Sequence, residues 1–122
     1  MNYLDNRPKT IICDIDGTLI EHDLPAITSH PDYNMRLLPG TLEKISDWDK
    51  KGYNIILLTG RRESSRKQTE EQLSKVGIFY DQLIMGVGGG KRYLINDLKP
   101  DGDTAAYSIN LIRNAGIGNI DL

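Results

Sequence analysis

An α/β fold with an open, mostly parallel sheet is the class this sequence of 122 residues predicts. Three observations point to it. Short β-branched apolar runs alternate with stretches of helical spacing, and buried parallel strands need such crossovers. Several of those runs stop abruptly at polar residues, as strands do at the edge where open α/β sheets bind ligands. The length suits one core, since a domain usually takes roughly 100–200 residues, so residues 1–122 are read as a single domain.

Thr10-Ile11-Ile12-Cys13 is an apolar run that ends at Asp14, which suits a strand buried on both faces. From Gly17 to Gly40 the pattern breaks, with Pro25, Pro31 and Pro39 punctuating an irregular excursion or small hairpin. Thr41 to Lys51 places Leu42, Ile45 and Trp48 at helical spacing, and Gly52 follows where a helix ends. Tyr53 to Leu58 is a second buried strand, stopping at Thr59-Gly60-Arg61-Arg62. Ser65 with Gln68 reads as a capping box, and Leu73 and Val76 give the following helix its apolar stripe before Gly77. Gln82 to Met85 is a third strand and Gly86 to Gly90 a flexible turn. Tyr93-Leu94-Ile95 is expected as a fourth strand ending at Asn96-Asp97, and a last helix from about Thr104 to Ala115, before Gly116.

Lys plus Arg number 15 against 17 for Asp plus Glu, a formal charge of −2. No global basic field is present to collect nucleic acid, which argues against such a partner. Cys13 is the single cysteine, so neither an internal disulfide nor a multi-cysteine zinc site can form. No apolar run is long enough to span a membrane, and Met1 to Asp5 shows no basic region followed by an apolar one. A cytoplasmic, unanchored protein is expected.

Asp14-Ile15-Asp16 sets two carboxylates two residues apart at a strand end, where they repel unless a cation joins them. A hard ion such as Mg²⁺ suits that pair, because it usually takes one or two protein carboxylates plus substrate phosphate. Asp97, arriving from another strand end, is the candidate further ligand. Gly17 lets the chain leave the strand sharply, and Thr18 can tie the turn through its hydroxyl. Thr59 with the following amides, and Lys91 with its charge, suit a phosphoryl group held between metal and donors. A lone strand-end aspartate is more often a turn former or cap; the ordered set Asp14, Asp16, Thr59, Lys91 and Asp97 at one sheet edge is what favours chemistry.

Other features favour plain readings. Gly86 to Lys91 fails the Walker pattern, which needs glycine at Met85 and Ser or Thr at Arg92, and fails the dinucleotide fingerprint at Lys91. His22 and His30, near Asp23 and Asp32, match no zinc spacing. Cys13 alternates with Asp14 on the pleat and reads as core filler. Asp101 and Asp103 read equally as turn and cap residues. Arg61, Arg62, Arg66 and Lys67 form a local basic run, either a solvated face or a grip on an anion.

Asp14-Ile15-Asp16-Gly17-Thr18 resembles the first signature of the haloacid dehalogenase superfamily of phosphatases. Leu57-Leu58-Thr59-Gly60-Arg61 is similar to the second, Lys91 to the third and Asn96-Asp97 to the fourth, over roughly positions 10 to 100. The resemblance implies a Rossmann-like three-layer sandwich, Mg²⁺ and an aspartyl-phosphate intermediate. It implies Asp14 as nucleophile and metal ligand, and Asp16 as general acid and base whose carbonyl touches the metal. Thr59, with Gly60 and Arg61, binds the phosphoryl group; Lys91 neutralises it; Asp97 completes the metal site, with Thr18 and Asn96 in support. Many members have two aspartates in the fourth motif, where this chain has Asn96 before Asp97.

Positions 17 to 58 and 60 to 90 give gaps of 42 and 31 residues, too short for a full cap domain. Capless members act on large substrates or build pocket walls by oligomerising. The stretch from Gly88 to Asp97 is similar to small phosphatases of bacterial capsule and surface-sugar synthesis. The expected substrate is thus a sugar phosphate or similar small metabolite, with a homo-oligomer or the Glu21 to Leu38 loop covering it. Rivals are a polynucleotide-end or nucleotide phosphatase and a phosphorylatable receiver module. The receiver needs its acceptor aspartate after the third strand, where Met85-Gly86 stands.

Overall fold

The computed structural model describes residues 6–122, and the reading of Met1 to Asp5 lies outside the described residues. Strand β1 (Thr10–Asp14) is followed by a one-turn helix α1 (Pro25–Thr28), helix α2 (Thr41–Lys50), strand β2 (Asn54–Leu58), a 3₁₀ turn at Glu63–Ser65, helix α3 (Arg66–Lys75) and strand β3 (Gln82–Ile84). The sheet order is β1-β2-β3 and every pairing is parallel. Ile11 faces Ile55, Asp14 faces Leu58, and Leu58 in turn faces Ile84, so the three strands end together. Helices α2 and α3 are the crossovers that parallel neighbours require.

Alternation along the strands decides where the core sits. Ile11 and Cys13 of β1, Ile55 and Leu57 of β2 and Leu83 of β3 share one buried face. Against them pack Ile45 and Trp48 of α2 and Leu73 of α3, in one continuous cluster with Ile15, Leu19, Ile20 and Ile117. Among the described residues the opposite face is less covered: Ile12 of β1 is 50% exposed and Ile84 of β3 42%, so β1 is buried on one face rather than the expected two. Helix α3 starts where the sequence places it, but Ser65 makes no side-chain cap, so the expected capping box does not form. The excursion after β1 carries α1 and two bridges, Asp16 with Ile20 and Ile20 with Leu37.

Two expected elements are not formed among the described residues. Residues 93–95 are exposed and unpaired rather than a fourth strand, and 104–115 are not helical. A three-residue apolar run needs a ladder partner to hold it, and among the described residues this one pairs with none of the three strands. In the second segment Ala105, Ile109 and Ile112 keep helical spacing, but Ile109 and Ile112 stay exposed, so no packed face holds a helix there. The chain returns to the core at its end. Asn114 donates its backbone N–H to the Gly17 carbonyl at 2.8 Å, its Oδ1 accepts from the His22 N–H at 2.8 Å, and Ile117 is fully buried.

Candidate active site

The end of β1 delivers Asp14 and the turn that follows delivers Asp16. That turn is held by its backbone: Thr18, Leu19 and Ile20 N–H groups converge on the Ile15 carbonyl, and the Gly17 N–H reaches the Ile20 carbonyl at 2.8 Å. Gly17 sits at φ 86°, where a side chain would be strained, and an added Cβ would lie 3.1 Å from Arg113 Cγ. Asp14 keeps its carboxylate half-exposed, with Arg92 Nη1 at 3.4 Å from Oδ1. Cys13, pointing the other way, is core filler as expected. Burial and then the Asp14 charge push its thiol up to about 12, so it holds its proton at neutral pH.

β2 ends beside β1 and places Thr59 and Arg61 against Asp16. The Arg61 guanidinium grips both carboxylate oxygens, Nη2 to Oδ1 at 2.9 Å and Nε to Oδ2 at 3.3 Å, the two-pronged geometry that suits arginine. The pair is shielded, with side-chain exposures of 12% for Arg61 and 22% for Asp16. Thr59 is buried; its Oγ1 accepts from the Arg61 backbone N–H at 3.1 Å and lies 3.5 Å from Asp16 Oδ2. The residues after β3 brace this loop: Val87 N–H reaches the Thr59 carbonyl and Gly86 N–H the Arg61 carbonyl. Gly60 allows that approach, since a Cβ there would meet the Val87 carbonyl at 3.1 Å.

Arg61 also ties the site to its surroundings. Its Nη1 donates to Gln72 Oε1 at 2.6 Å, and Gln72 Nε2 donates to the Thr28 carbonyl at 3.1 Å, linking α3 to α1. Farther along the excursion, Arg36 pairs with Glu21 and Asp23, and the Tyr33 hydroxyl donates to Asp23 Oδ2 at 3.3 Å. Burial and the Asp23 charge push the Tyr33 phenol up; Arg61 pulls it down and Asp16 pushes it up, which brings this loop within the field of the site.

The structure therefore brings together Asp14, Asp16, Thr59, Gly60 and Arg61, with Thr18 in the adjoining turn. Lys91, Asn96 and Asp97 lie instead on the exposed stretch beyond Gly88, and the cation beside Asp14 is Arg92. Arg92, Gln72 and Asn114 escaped the sequence reading. Arg92 directly follows Lys91, whereas Gln72 and Asn114 carry no local signal. Mg²⁺ needs oxygen ligands and only one or two protein carboxylates, and Asp14 with the Asp16 turn meets that minimum. Among the described residues no group of three or more His, Cys, Asp or Glu is placed to hold a metal, and this includes His22 and His30. No helix among them is long and apolar enough to cross a membrane.

Comparison with known proteins adds family and fold. Residues 11–101 match a family described as PITM 1-3, LNS2 domain. A chain from the structure of the Pnkp1/Rnl/Hen1 complex is 33% identical over 70% of this chain and 30% of its own, with a TM-score of 0.51. A second structure of those partners, described as an RNA repair complex, gives 33% identity over 69% of this chain and 28% of its own, with a TM-score of 0.50. The D,D-heptose 1.7-bisphosphate phosphatase from B. bronchiseptica, complexed with magnesium and phosphate, is 22% identical over 66% of this chain and 51% of its own, at a TM-score of 0.51. This chain thus spans about a third of the first relative's length and about half of the phosphatase's. These likenesses establish a Rossmann-like α/β fold, and the described residues carry no large cap. No curated protein sequence matches the chain.

Proposed function

The chain belongs to the LNS2 domain family, whose fold is haloacid-dehalogenase-like, and from that premise we propose that it is a Mg²⁺-dependent phosphomonoester hydrolase working through an aspartyl phosphate. The observation that carries this reading is the arrangement at the β1 end: a half-exposed Asp14 carboxylate beside Asp16, which Arg61 and Thr59 hold. Asp14 Oδ attacks phosphorus and the ester P–O bond breaks, while Asp16, which takes a proton from solvent once Arg61 has left it, gives that proton to the departing oxygen. Asp16 then takes a proton from the water that attacks the phosphoryl group, so phosphate leaves and the Asp14 carboxylate is restored. Asp14 and the Asp16 carbonyl would hold Mg²⁺, which when bound offsets the negative charge of phosphoryl group and carboxylate.

Thr59, Gly60 and Arg61 receive the phosphoryl oxygens. Arg61 must shift its fork from Asp16 toward the substrate during the cycle, which frees Asp16 for proton transfer. Lys91 and Asp97, with Asn96 in support, take their assigned roles as neutralising cation and metal ligand when the stretch beyond Gly88 closes on the site. A homo-oligomer would supply the wall that the small chain lacks.

The proposed substrate is a sugar phosphate or similar small phosphoester, of the kind used in surface-polysaccharide synthesis, handled in the cytoplasm. The net charge of −2 supports it, and two members of the basic run are already engaged: Arg61 with Asp16, and Arg66 with Glu63 and Glu70. The 33% identity to the RNA repair complex favours a second reading, a polynucleotide-end phosphatase. A panel of sugar phosphates, nucleotides and phosphorylated oligonucleotides, with and without Mg²⁺, separates the two. Turnover of small phosphoesters that a chelator stops reversibly is expected. Preference for oligonucleotides, with activity falling steeply as salt rises, would establish the second reading instead.

A further inference from the structure

We infer that Gln72 is a positioning residue, fixing the Arg61 guanidinium and through it Asp16. The inference rests on the phosphatase reading of that pair. Gln72 is buried on α3 beside Thr69 and Leu73, and a buried amide is costly unless both of its ends are satisfied. Here both are. Its Oε1 accepts from Arg61 Nη1 at 2.6 Å and its Nε2 donates to the Thr28 carbonyl at 3.1 Å.

The chemistry of the neighbours fixes which way the amide points. Guanidinium can only donate and a backbone carbonyl can only accept, so a flipped amide would set donor against donor and oxygen against oxygen. Glutamate would satisfy Arg61 but face the Thr28 carbonyl with a second acceptor. Methionine or leucine would satisfy neither. Gln68, one turn earlier, donates to the next carbonyl, Ser29, at 3.0 Å, so α3 clamps the end of α1 twice while only Gln72 also reaches the site.

Arg61 is consequently held on both sides, with Nε and Nη2 on Asp16 and Nη1 on Gln72. A guanidinium so held can leave Asp16 and return in one geometry. Released from Gln72, it keeps only its bonds to Asp16, so each time it leaves Asp16 it turns about its own stem and the productive fraction falls.

Nitrogen-edited NMR of the Arg61 guanidinium reads the positioning without any need for turnover. Separate, slowly exchanging Nη signals are expected in the wild-type protein, retained in Gln72→Glu and averaged in Gln72→Met. With a substrate that is turned over, Gln72→Met should lower kcat about tenfold, the worth of one buried hydrogen bond. KM should move less than about threefold, and Gln72→Glu should recover most of the loss. In an Arg61→Met background the same Gln72→Met change should cost much less. Unchanged Nη signals in Gln72→Met, or an equal kcat loss in both backgrounds, would overturn the inference. If the wild-type protein turns over no phosphoester, the phosphatase reading falls and the NMR result alone decides the positioning. Should Gln72→Met fail to fold, the Gln72→Asn variant, too short to reach Arg61, takes its place in both measurements.

Discussion

Replacing Arg61 by methionine keeps much of the side-chain volume and removes every polar contact of the guanidinium. Two hydrogen bonds to Asp16 and one to Gln72 are lost. Breaking a fully buried ion pair by removing one partner costs about 3–5 kcal/mol. Asp16 keeps 22% of its side-chain exposure, so water compensates part of this and about 2 kcal/mol remains. The orphaned Gln72 oxygen adds about 1 kcal/mol. For a domain of this size each kcal/mol shifts the melting temperature by about 4 °C, so Arg61→Met should melt about 12 °C lower by circular dichroism. The double variant Asp16→Asn with Arg61→Met should lose less than the two single variants added together, since both remove one interaction. A drop below about 4 °C would refute the reasoning, because it would mean that the pair behaves like a solvated surface salt bridge.

Three further outcomes follow from other parts of the structure. Gly40 has φ 86° and an added Cβ would stand 2.3 Å from Gly118 Cα, so Gly40→Ala should force the C-terminal segment away and destabilise the fold by about 2 kcal/mol or more, read by urea titration. The Cys13 thiol, pushed up from 9.0 to about 12 by burial and then by Asp14, loses its proton later in the folded than in the unfolded chain. Its contribution to stability is therefore whole below about pH 9 and falls as pH rises toward 12, by at most about 1.4 kcal/mol per unit. Urea titrations at rising pH should show Cys13→Ala flattening that decline, while the raised Tyr33 and Tyr80 phenols keep a residual slope of the same sign. Asp97→Ala should raise the Mg²⁺ concentration for half-maximal activity, whereas an unchanged titration, with a shift in Asn96→Ala instead, would move the ligand role to Asn96.

The elements that carry their own periodicity were legible from the residues. Helix α2 starts at the threonine and stops one residue before the lysine that the apolar spacing and Gly52 indicate, β2 and β3 lie within the predicted runs, and β1 extends one residue past its run to include Asp14. Cys13 and Asp14 part to opposite faces because the pleat leaves no choice. What depended on partners distant in sequence was not legible. Tyr93-Leu94-Ile95 has strand composition, but composition does not say which edge pairs with it. The segment from Thr104 to Ala115 has helical spacing in Ala105, Ile109 and Ile112, but spacing does not say what that face packs against, and Ile109 and Ile112 remain exposed.

The site divides along the same line. Asp14, Asp16, Thr59, Gly60 and Arg61 sit at ends of adjacent paired strands, so parallel pairing alone gathers them. Asp97 depends on a fourth strand that does not form among the described residues, and it remains with Lys91 on exposed chain. Gln72 acts across 11 positions on Arg61 and 44 on Thr28, an arrangement that only the packed structure reveals.

The most direct test of the central claim is to quench the protein in mid-turnover, reduce it with borohydride and sequence the peptide containing Asp14 by mass spectrometry. An acyl phosphate on Asp14 is reduced to homoserine. The account predicts homoserine at position 14 only when substrate and Mg²⁺ are both present, and none in Asp14→Asn, whose turnover should also be lost. Sustained turnover with position 14 unmodified, or with homoserine at Asp16 instead, would contradict it.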